Sequence, residues 1–332
     1  MKRLSYDLIL NTLQDKLEER QFERSKATSI AEVFVENSLE GVYSHGINRF
    51  PRFISDVDQS RVDPAATPDI KSKFKAIQQW DGMKGPGITN AILATESAMR
   101  LSNHYGLGCV SMSNTNHWMR GGTYGRLAAA NDCIFIGWTN TIANMPAWGA
   151  DDNKLGNNPL VIAVPGDPPI VLDMAMSQFS YGKMEDLEMK EQHLPLPGGF
   201  DQEGILTTDP GVILSTGLPV PMGYWKGAGL SLVLDILAAI LSNGLSTHEI
   251  SKLEAETAIS QVFICIDMSK TSHYEYIGKK IQAILNDYKS SIPKNDRSSI
   301  IYPGERTPLI KGENLKHGIP VLDTIWEKIL NL

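Results

Sequence analysis

Five short apolar runs separated by helical patterns constrain what this chain can fold into. The runs are rich in Val and Ile, and prolines bound two of them, as expected of short buried strands. They lie at residues 109–112, 133–138, 160–164, 170–172 and 262–266. Helical patterns lie between and around these runs. This alternation predicts an α/β or mixed α+β fold and argues against a β-sandwich.

The two ends of the chain have the periodicity of amphipathic helices. After Ser5, a suitable N-cap, apolar residues recur every four positions at Ile9, Leu13 and Leu17. A second helix is predicted over residues 25–39, and a closing helix over residues 321–330. We therefore predict a helical region formed by residues 1–75 with 305–332. A mixed α/β body is predicted over residues 76–304.

Two segments of the body have less regular patterns. Residues 187–219 contain many prolines and glycines and are predicted to form a loop with little regular structure. Residues 230–241 are almost entirely apolar but include Asp235. Because this run is too short to span a bilayer, we predict a buried core helix.

Composition restricts the class of protein further. The chain has 332 residues, of which 42% are hydrophobic and 21% charged, as in ordinary soluble globular proteins. Its net charge of −7 argues against a nucleic-acid partner, for which a basic surface is expected. Three dispersed cysteines predict buried, reduced thiols. With no apolar signal segment at the N-terminus, we expect a cytoplasmic protein that does not associate with membranes.

The stretch from Gly41 to Phe53 carries the clearest chemical signal. It places His45 beside Ser44, with Arg49 and Arg52 four and seven residues after the histidine. Imidazole changes its charge near neutral pH, and a guanidinium group can hold a carboxylate bidentately. The stretch follows a predicted helix and suggests acid–base chemistry on a small acid. The alternative is a surface turn whose arginines are merely solvated.

Three other sites have polar groups in suggestive places. His117 lies in a glycine-bearing loop after a predicted strand, where it lines a pocket or belongs to a simple turn. Asp173 ends an apolar run and needs a partner, either a histidine that it orients or a cap. Trp225 and Lys226 suit a nucleotide's base or phosphate, or an ordinary surface. The remaining histidines lack ligand-like spacing and are predicted to be structural or solvated: His104, His193, His248, His273 and His317.

Glycine motifs for binding a dinucleotide are not found. The runs Gly82–Gly87 and Gly223–Gly229 have the wrong spacing for a Rossmann fingerprint, and there is no Walker loop. From pattern alone, a dinucleotide site would not be inferred.

Four motifs together resemble a known family. Tyr43-Ser-His-Gly-x-x-Arg49-Phe, Asn116-His-Trp118, Gly156-x-Asn158-Pro and Asp173-Met-x-x-Ser177 occur in the order of the type-2 malate/lactate dehydrogenases, and the resemblance covers nearly the full length. It implies a nicotinamide-dependent oxidoreductase with a non-Rossmann cofactor domain, and a homodimer with the active site near its interface. The cofactor is expected to be NADH, and sequence does not distinguish it from NADPH.

The resemblance also implies site residues. His45 corresponds to the acid–base residue of the family. Cofactor contacts carry over onto three segments, which comprise Pro169, Ile170, Val171, Leu172, Asp173, Met174 and Ala175, then Trp225 and Lys226, then Gly304, Glu305 and Arg306. Many relatives have Phe-Gly after the histidine that matches His117, where this chain has Trp118-Met119. This difference argues against malate or lactate as the substrate. The chain most resembles members of the family that reduce a keto sugar acid, and this resemblance implies a substrate of that kind.

These residues form a hypothesis of mechanism. Hydride passes from reduced nicotinamide to the C2 carbonyl of a 2-keto sugar acid, and His45 protonates the oxygen. Arg49 binds the substrate carboxylate, Ser44 and His117 contact the substrate, and Asp173 sets the tautomer or the charge of His45. No metal is expected. Open alternatives are malate, lactate, ureidoglycolate or a cyclic imine acid as substrate, a non-catalytic sugar-acid-binding protein, and a metal-dependent hydrolase.

Overall fold

A seven-stranded sheet lies at the centre of the computed structural model, which describes residues 2–272, 274–294 and 299–332. The strands, in chain order, are β1 (Lys2–Leu4), β2 (Asp69–Phe74), β3 (Ile77–Asp81), β4 (Leu107–Thr115), β5 (Cys133–Thr139), β6 (Met145–Pro146), β7 (Asn153–Leu155), β8 (Leu160–Val164), β9 (Ile170–Met174), β10 (Gly199–Phe200), β11 (Leu206–Thr207), β12 (Ile259–Asp267) and β13 (Ile319–Val321).

Helices surround this sheet and form a separate layer at the chain ends. They are α1 (Tyr6–Glu18), α2 (Arg24–Leu39), α3 (Phe50–Asp58), α4 (Gly87–Tyr105), α5 (Gly122–Ala129), α6 (Tyr181–Met189), α7 (Pro210–Thr216), α8 (Trp225–Ser242), α9 (Thr247–Ile250), α10 (Tyr274–Lys289), α11 (Thr307–His317) and α12 (Asp323–Leu330). Short 3-10 helices span Tyr43–His45, Ile47–Arg49 and Met268–Lys270.

The order of strands in the sheet is β2-β3-β4-β12-β5-β8-β9. Within the described residues, β3 and β4 pair in parallel and the other neighbours pair antiparallel. All five apolar runs predicted as strands lie in this sheet, so the mixed α/β prediction is confirmed. Strand β12 lies between β4 and β5 and runs opposite to both. The ends of β4 and β5 therefore meet the start of β12 at one end of the sheet.

The helical layer has its own core. Ser5 accepts a hydrogen bond from the Leu8 N–H at 3.3 Å and caps α1, and the buried face of that helix is the predicted one. The first and last strands pair with each other, which brings the chain ends together. Strand β2 belongs to residues 1–75 but pairs with β3 in the large sheet. The division into a helical region and a body stays a prediction.

The prediction of a loop over residues 187–219 is wrong. This segment holds the end of α6, all of α7 and the small sheet β10-β11. Helix α7 begins where Asp209 accepts hydrogen bonds from the N–H groups of Gly211 and Val212 at 2.9 and 3.2 Å, with Pro210 as the first helical residue. The prolines and glycines that suggested a loop therefore include a helix-start signal.

The prediction of a buried core helix over residues 230–241 holds for the helix and for one of its faces. Helix α8 has 18 residues, longer than expected, and its length and composition would suffice to cross a membrane, a test that core helices also meet. One face packs on the sheet through Leu234 and Ala238. The opposite face is apolar and exposed at Leu232, Val233, Ile236 and Ile240. Because the run is uniformly apolar, its pattern did not show that only one face packs on other described parts of the chain.

The three cysteines are where the sequence predicts them. Cys109, Cys133 and Cys265 are buried and form no disulfide. Burial raises the pKa of the Cys109 thiol to about 11, so the thiol stays protonated near neutral pH.

Candidate active site

A cavity of about 380 Å³ lies beside the end of the sheet where β4 and β5 finish and β12 begins. His117 follows β4, Ile142 follows β5 and Glu256 precedes β12, so sheet pairing brings three distant segments together. The chain after α2 and the start of α6 form the other walls. The lining includes Ser44, His45, Arg49, Arg52, His117, Thr141, Ile142, Asn144, Asn157, Ser180, Tyr181, Gly182, Glu185 and Glu256.

The backbone that carries His45 is fixed to helix α2. The side chain of Asn37 donates to the His45 carbonyl oxygen at 3.0 Å, and the Ile47 N–H donates to Ser38 Oγ at 2.8 Å. Gly46 lies so close to the helix that an added Cβ would be 2.1 Å from Ser38 Oγ. One turn of 3-10 helix lies on each side of this glycine, and the two turns place His45 and Arg49 at the cavity wall.

His45 is half-buried and lies close to positively charged groups. Burial, then the charges of Arg49 and Arg120, lower the pKa of His45 to about 4. Its Nδ1 lies 3.1 Å from Ser44 Oγ. The imidazole stacks on that of His117, with ring centroids 5.8 Å apart and planes inclined by 22°. In the protein without substrate, His45 is therefore neutral near pH 7.

His117 has its tautomer set by the backbone. The Met119 N–H donates to His117 Nδ1 at 2.9 Å, so this nitrogen is an acceptor and the proton lies on Nε2. Burial and the nearby charge of Arg49 hold the pKa of His117 well below its ordinary value. The ring is thus a neutral hydrogen-bond donor on the cavity wall.

The loop that carries His117 is anchored by its neighbours. The side chain of Asn116 donates to three backbone carbonyl oxygens, those of Arg61, Lys84 and Gly85, at 3.2, 2.9 and 3.1 Å. The buried Trp118 packs on aromatic rings of the sheet core. The motif Asn116-His117-Trp118 therefore consists of one cavity residue between two anchors.

Two arginines contribute positive charge to the cavity. Arg49 and Arg52 both line it, and burial together with the charge of Arg52 lowers the pKa of Arg49. Two carboxylates that the sequence reading missed, Glu256 and Glu185, act in the opposite direction on Arg49. Neither belongs to a recognisable motif, and only the folded chain places them here. The cavity combines groups for proton transfer, hydrogen bonding and carboxylate binding.

Asp173 contacts the start of a helix. Its Oδ2 accepts a hydrogen bond from the Gly122 N–H at 2.8 Å, at the first residue of α5, and lies 3.9 Å from Arg120 Nε. Of the two partners that the sequence suggested, the structure shows the helix cap. Ser44, and not Asp173, lies beside Nδ1 of His45. An influence of Asp173 on the tautomer of His45 stays a prediction.

A second cavity, of about 140 Å³, adjoins the predicted cofactor segments. Pro169, Val171 and Gly304 line it together, and the Val171 N–H donates to the Pro303 carbonyl at 3.2 Å. Gly304 has φ +92°, and an added Cβ would lie 3.0 Å from the Pro169 carbonyl oxygen. The structure thus brings two of the three predicted cofactor segments together.

Other residues of these segments have partners of their own. Glu305 accepts hydrogen bonds from the Tyr302 N–H at 3.3 Å and from the Lys289 ammonium group. Arg306 donates to Ser299 Oγ at 3.4 Å. Strand β9 contains the predicted residues Ile170, Val171, Leu172, Asp173 and Met174, and Ala175 follows it. Because β9 is the last strand of the sheet, one of its edges lacks a partner strand within the described residues.

The third cofactor segment lies near the far end of β9. The Met222 N–H donates to the Met176 carbonyl at 2.7 Å, which ties the turn before α8 to the chain just past β9. Trp225 begins α8 with an exposed fraction of 66%, and Lys226 Nζ lies 5.9 Å from its ring centroid. Neither side chain lines either cavity.

The remaining histidines lie away from the site. Four of them are exposed, as predicted: His104, His193, His248 and His317. His104 packs edge-on against Tyr105, and His317 lies 3.6 Å from a Glu313 carboxylate oxygen. The prediction for His273 falls outside the described residues.

Comparison with known proteins defines the class. The profile of the malate/L-lactate dehydrogenase family matches residues 4–330, and the chain belongs to this family. It is therefore an oxidoreductase of the kind that acts on hydroxy or keto acids, and the family implies a nicotinamide cofactor.

Particular relatives narrow the comparison. The chain is 40% identical over 328 residues to 2,3-diketo-L-gulonate reductase of Salmonella paratyphi A (strain ATCC 9150 / SARB42), covering 98% of this chain and 99% of the relative. Sulfolactate dehydrogenase from Methanocaldococcus jannaschii is 28% identical with a TM-score of 0.88, and the match covers 99% of this chain and 95% of that one. Malate dehydrogenase from Entamoeba histolytica shares the fold, with a TM-score of 0.93 at 23% identity. This match covers 99% of this chain and 96% of that one.

Proposed function

We propose that the protein reduces the C2 keto group of 2,3-diketo-L-gulonate to give 3-keto-L-gulonate, with NADH as reductant and His45 as proton donor. The observation that carries the proposal is one cavity that holds His45, a neutral donor histidine and two arginines. The relatives named as reductases of this sugar acid support the choice of substrate.

Arg49 and His117 are proposed to orient the substrate. The guanidinium group of Arg49 binds the carboxylate, which places the adjacent C2 carbonyl toward the two imidazoles. Nε2–H of His117 donates to an oxygen of the reacting end, because its other ring nitrogen is occupied by the Met119 N–H. Ser44 also contacts the substrate at this end. The hydroxyl-bearing end of the sugar acid lies among polar groups on the far wall: Thr141, Asn144, Asn157, Ser180 and Tyr181.

His45 must carry a proton when the C2 oxygen gains charge. Without substrate its pKa of about 4 keeps it neutral, and the charge of Arg49 is the second cause of that low value. A bound carboxylate offsets the charge of Arg49 and so raises the pKa of His45 in the complex. In the oxidative direction the neutral ring accepts the proton instead. A well-matched acid of this kind accelerates the reaction by roughly 10²–10⁴-fold.

The nicotinamide cofactor supplies the hydride when bound. Its proposed site is the edge of β9 and the adjoining cavity, where the close approach of Gly304 to the strand leaves no room for a side chain. An edge strand offers backbone N–H and C=O groups to a ligand. The mainly antiparallel sheet supports a non-Rossmann site, since the Rossmann fold uses a parallel sheet.

A homodimer and a cytoplasmic location are part of the proposal. The exposed apolar face of α8 is the proposed contact between two copies, because a row of exposed aliphatic side chains favours a protein interface over water. Ile236→Glu should lower the mass measured by light scattering, and Ile284→Glu, on the exposed helix α10, should not. A monomeric unsubstituted protein would contradict the contact. Buried reduced thiols support a reducing compartment.

The test of function is a spectrophotometric assay of NADH loss with 2,3-diketo-L-gulonate, pyruvate and oxaloacetate, repeated with NADPH. Turnover of pyruvate or oxaloacetate without turnover of the sugar acid would refute the proposed substrate. His45→Ala should lower kcat by roughly 10²-fold or more with little effect on NADH binding. His104→Ala, at an exposed histidine, is the control. Turnover that survives in His45→Ala would show that His45 is not the acid.

A second candidate is another 2-keto acid as substrate. The similarity to sulfolactate dehydrogenase at 28% identity supports testing anionic 2-keto acids other than sugar acids. The same assay, extended to ureidoglycolate oxidation and to a cyclic imine acid, separates these activities. Binding of the sugar acid without NADH oxidation would instead support a non-catalytic binding protein.

A further inference from the structure

Glu256 is a carboxylate of the cavity wall that the proposed reaction does not use. It lies on the segment between α9 and β12, and its Oε2 accepts a hydrogen bond from the Ile142 N–H at 3.1 Å. Among the described residues, the other carboxylate oxygen has no hydrogen bond or direct ion pair. The chain thus holds Glu256 in place by one oxygen and leaves the second available to a ligand.

The charges of the cavity balance before any substrate binds. Arg49 and Arg52 supply two positive charges, and Glu256 and Glu185 are the two carboxylates of the lining. Burial raises the pKa of Glu256, while the charges of Arg49 and Arg52 act against this rise and favour its ionised form. Both imidazoles are neutral near pH 7 because their pKa values are lowered. A substrate with one carboxylate can be held by Arg49. A second carboxylate would need Arg52, and it would enter the cavity against the charge of Glu256.

We propose that Glu256 is a specificity-determining residue that selects 2-keto acids with one carboxylate and several hydroxyl groups over dicarboxylic keto acids. A carboxylate oxygen accepts hydrogen bonds from hydroxyl groups, so the open oxygen of Glu256 strengthens the binding of a substrate that carries hydroxyl groups. The same oxygen repels a second carboxylate, which would lie partly desolvated beside a like charge. The proposal rests on the proposed function, because it assigns the part of the cavity beyond the Arg49 end.

The two glutamates differ in a way that provides a control. Glu256 is partly buried, whereas Glu185 is an exposed residue of α6 that also lines the cavity. Solvent screens the charge of an exposed group strongly, so Glu185 contributes much less to discrimination. Glu256→Gln removes the charge with almost no change in shape, and its amide oxygen can still accept from Ile142. Glu256→Asp keeps the charge on a shorter side chain.

The experiment compares kcat/KM for oxaloacetate with kcat/KM for 2,3-diketo-L-gulonate in the parent protein and the three variants. Glu256→Gln should raise this ratio by about tenfold or more, mainly through the two KM values. Glu185→Gln and Glu256→Asp should change it by less than about threefold. An unchanged ratio in Glu256→Gln, or an equal change in Glu256→Asp, would overturn the proposal.

A binding measurement separates this proposal from the proposed function. Calorimetric affinities for malonate and for gluconate, which are not reduced, report discrimination without turnover. Glu256→Gln should strengthen malonate relative to gluconate, also by about tenfold. If the parent protein reduces no keto acid, the proposed function fails, and this ratio still decides the role of Glu256. If Glu256→Gln does not fold, Glu256→Asp with weak malonate binding supports the proposal, and tight malonate binding overturns it.

Discussion

Arg49→Gln will raise the pKa of His45, because it removes one of the positive charges that keep this imidazole neutral. The pKa of His45 is about 4, against an ordinary value of 6.5. The difference of about 2.5 pH units corresponds to about 3.4 kcal/mol. Burial is the largest cause, Arg49 the second and Arg120 the third. Arg49 therefore accounts for at most half of this difference, which is about 1.7 kcal/mol, and His45 in the variant should titrate no higher than about pH 5.3.

Carbon-13 NMR of labelled histidine ring carbons measures this pKa in the protein without substrate, and His45→Gln assigns the signal. The matched control is Arg52→Gln. The charge of Arg52 contributes to the low pKa of His117 but is not among the causes for His45. The control should therefore move the titration of His117 and leave that of His45 in place. A midpoint of His45 that stays fixed or falls in Arg49→Gln would refute the electrostatic account, as would an equal rise in Arg52→Gln.

Three further predictions concern stability and cofactor binding. His45→Gln should reduce the amount by which the free energy of unfolding falls on acidification. The His45 side chain of the unfolded chain takes up a proton below pH 6.5, whereas that of the folded chain does so only near pH 4. His45 therefore lowers the free energy of unfolding by up to about 3.4 kcal/mol as the pH falls through this range. Urea unfolding at pH 7 and pH 4.5 checks this, and an equal loss in the variant would contradict it. Glu40→Gln leaves the guanidinium groups of Arg120 and Arg126 without their buried carboxylate. The free energy of unfolding at pH 7, measured in the same assay, should fall by about 3–5 kcal/mol. A decrease below about 1 kcal/mol would be evidence against this prediction. Gly304→Ala should weaken NADH binding by about tenfold or more, because Gly304 has φ +92° and an added Cβ would lie close to the backbone of β9. Energy transfer from the protein to bound nicotinamide measures this affinity. An unchanged affinity would show that the cofactor does not bind beside Gly304.

Local patterns predicted the parts of the fold that local burial controls. The four-residue spacing after Ser5 identified the buried face of α1, and the apolar runs identified five strands of the sheet. Prediction was less accurate for segments whose apolar residues do not follow a periodic pattern that marks one buried face. The uniformly apolar run in α8 could not show which side would lack a partner, and the proline-rich segment around Asp209 concealed a capped helix.

The candidate site divides in the same way. His45 and Arg49 lie only four residues apart, in two successive 3-10 turns, so their proximity follows from the sequence itself. Their meeting with His117 and Glu256 does not, because those residues are brought in by strands whose order in the sheet differs from their order in the chain. The low pKa of His45 likewise depends on burial and on Arg120, which no spacing reveals. By itself, the sequence determined the family and the choice of candidate site residues. Only the tertiary structure decided which charges surround them, because desolvation and Coulomb interactions depend on distances through space.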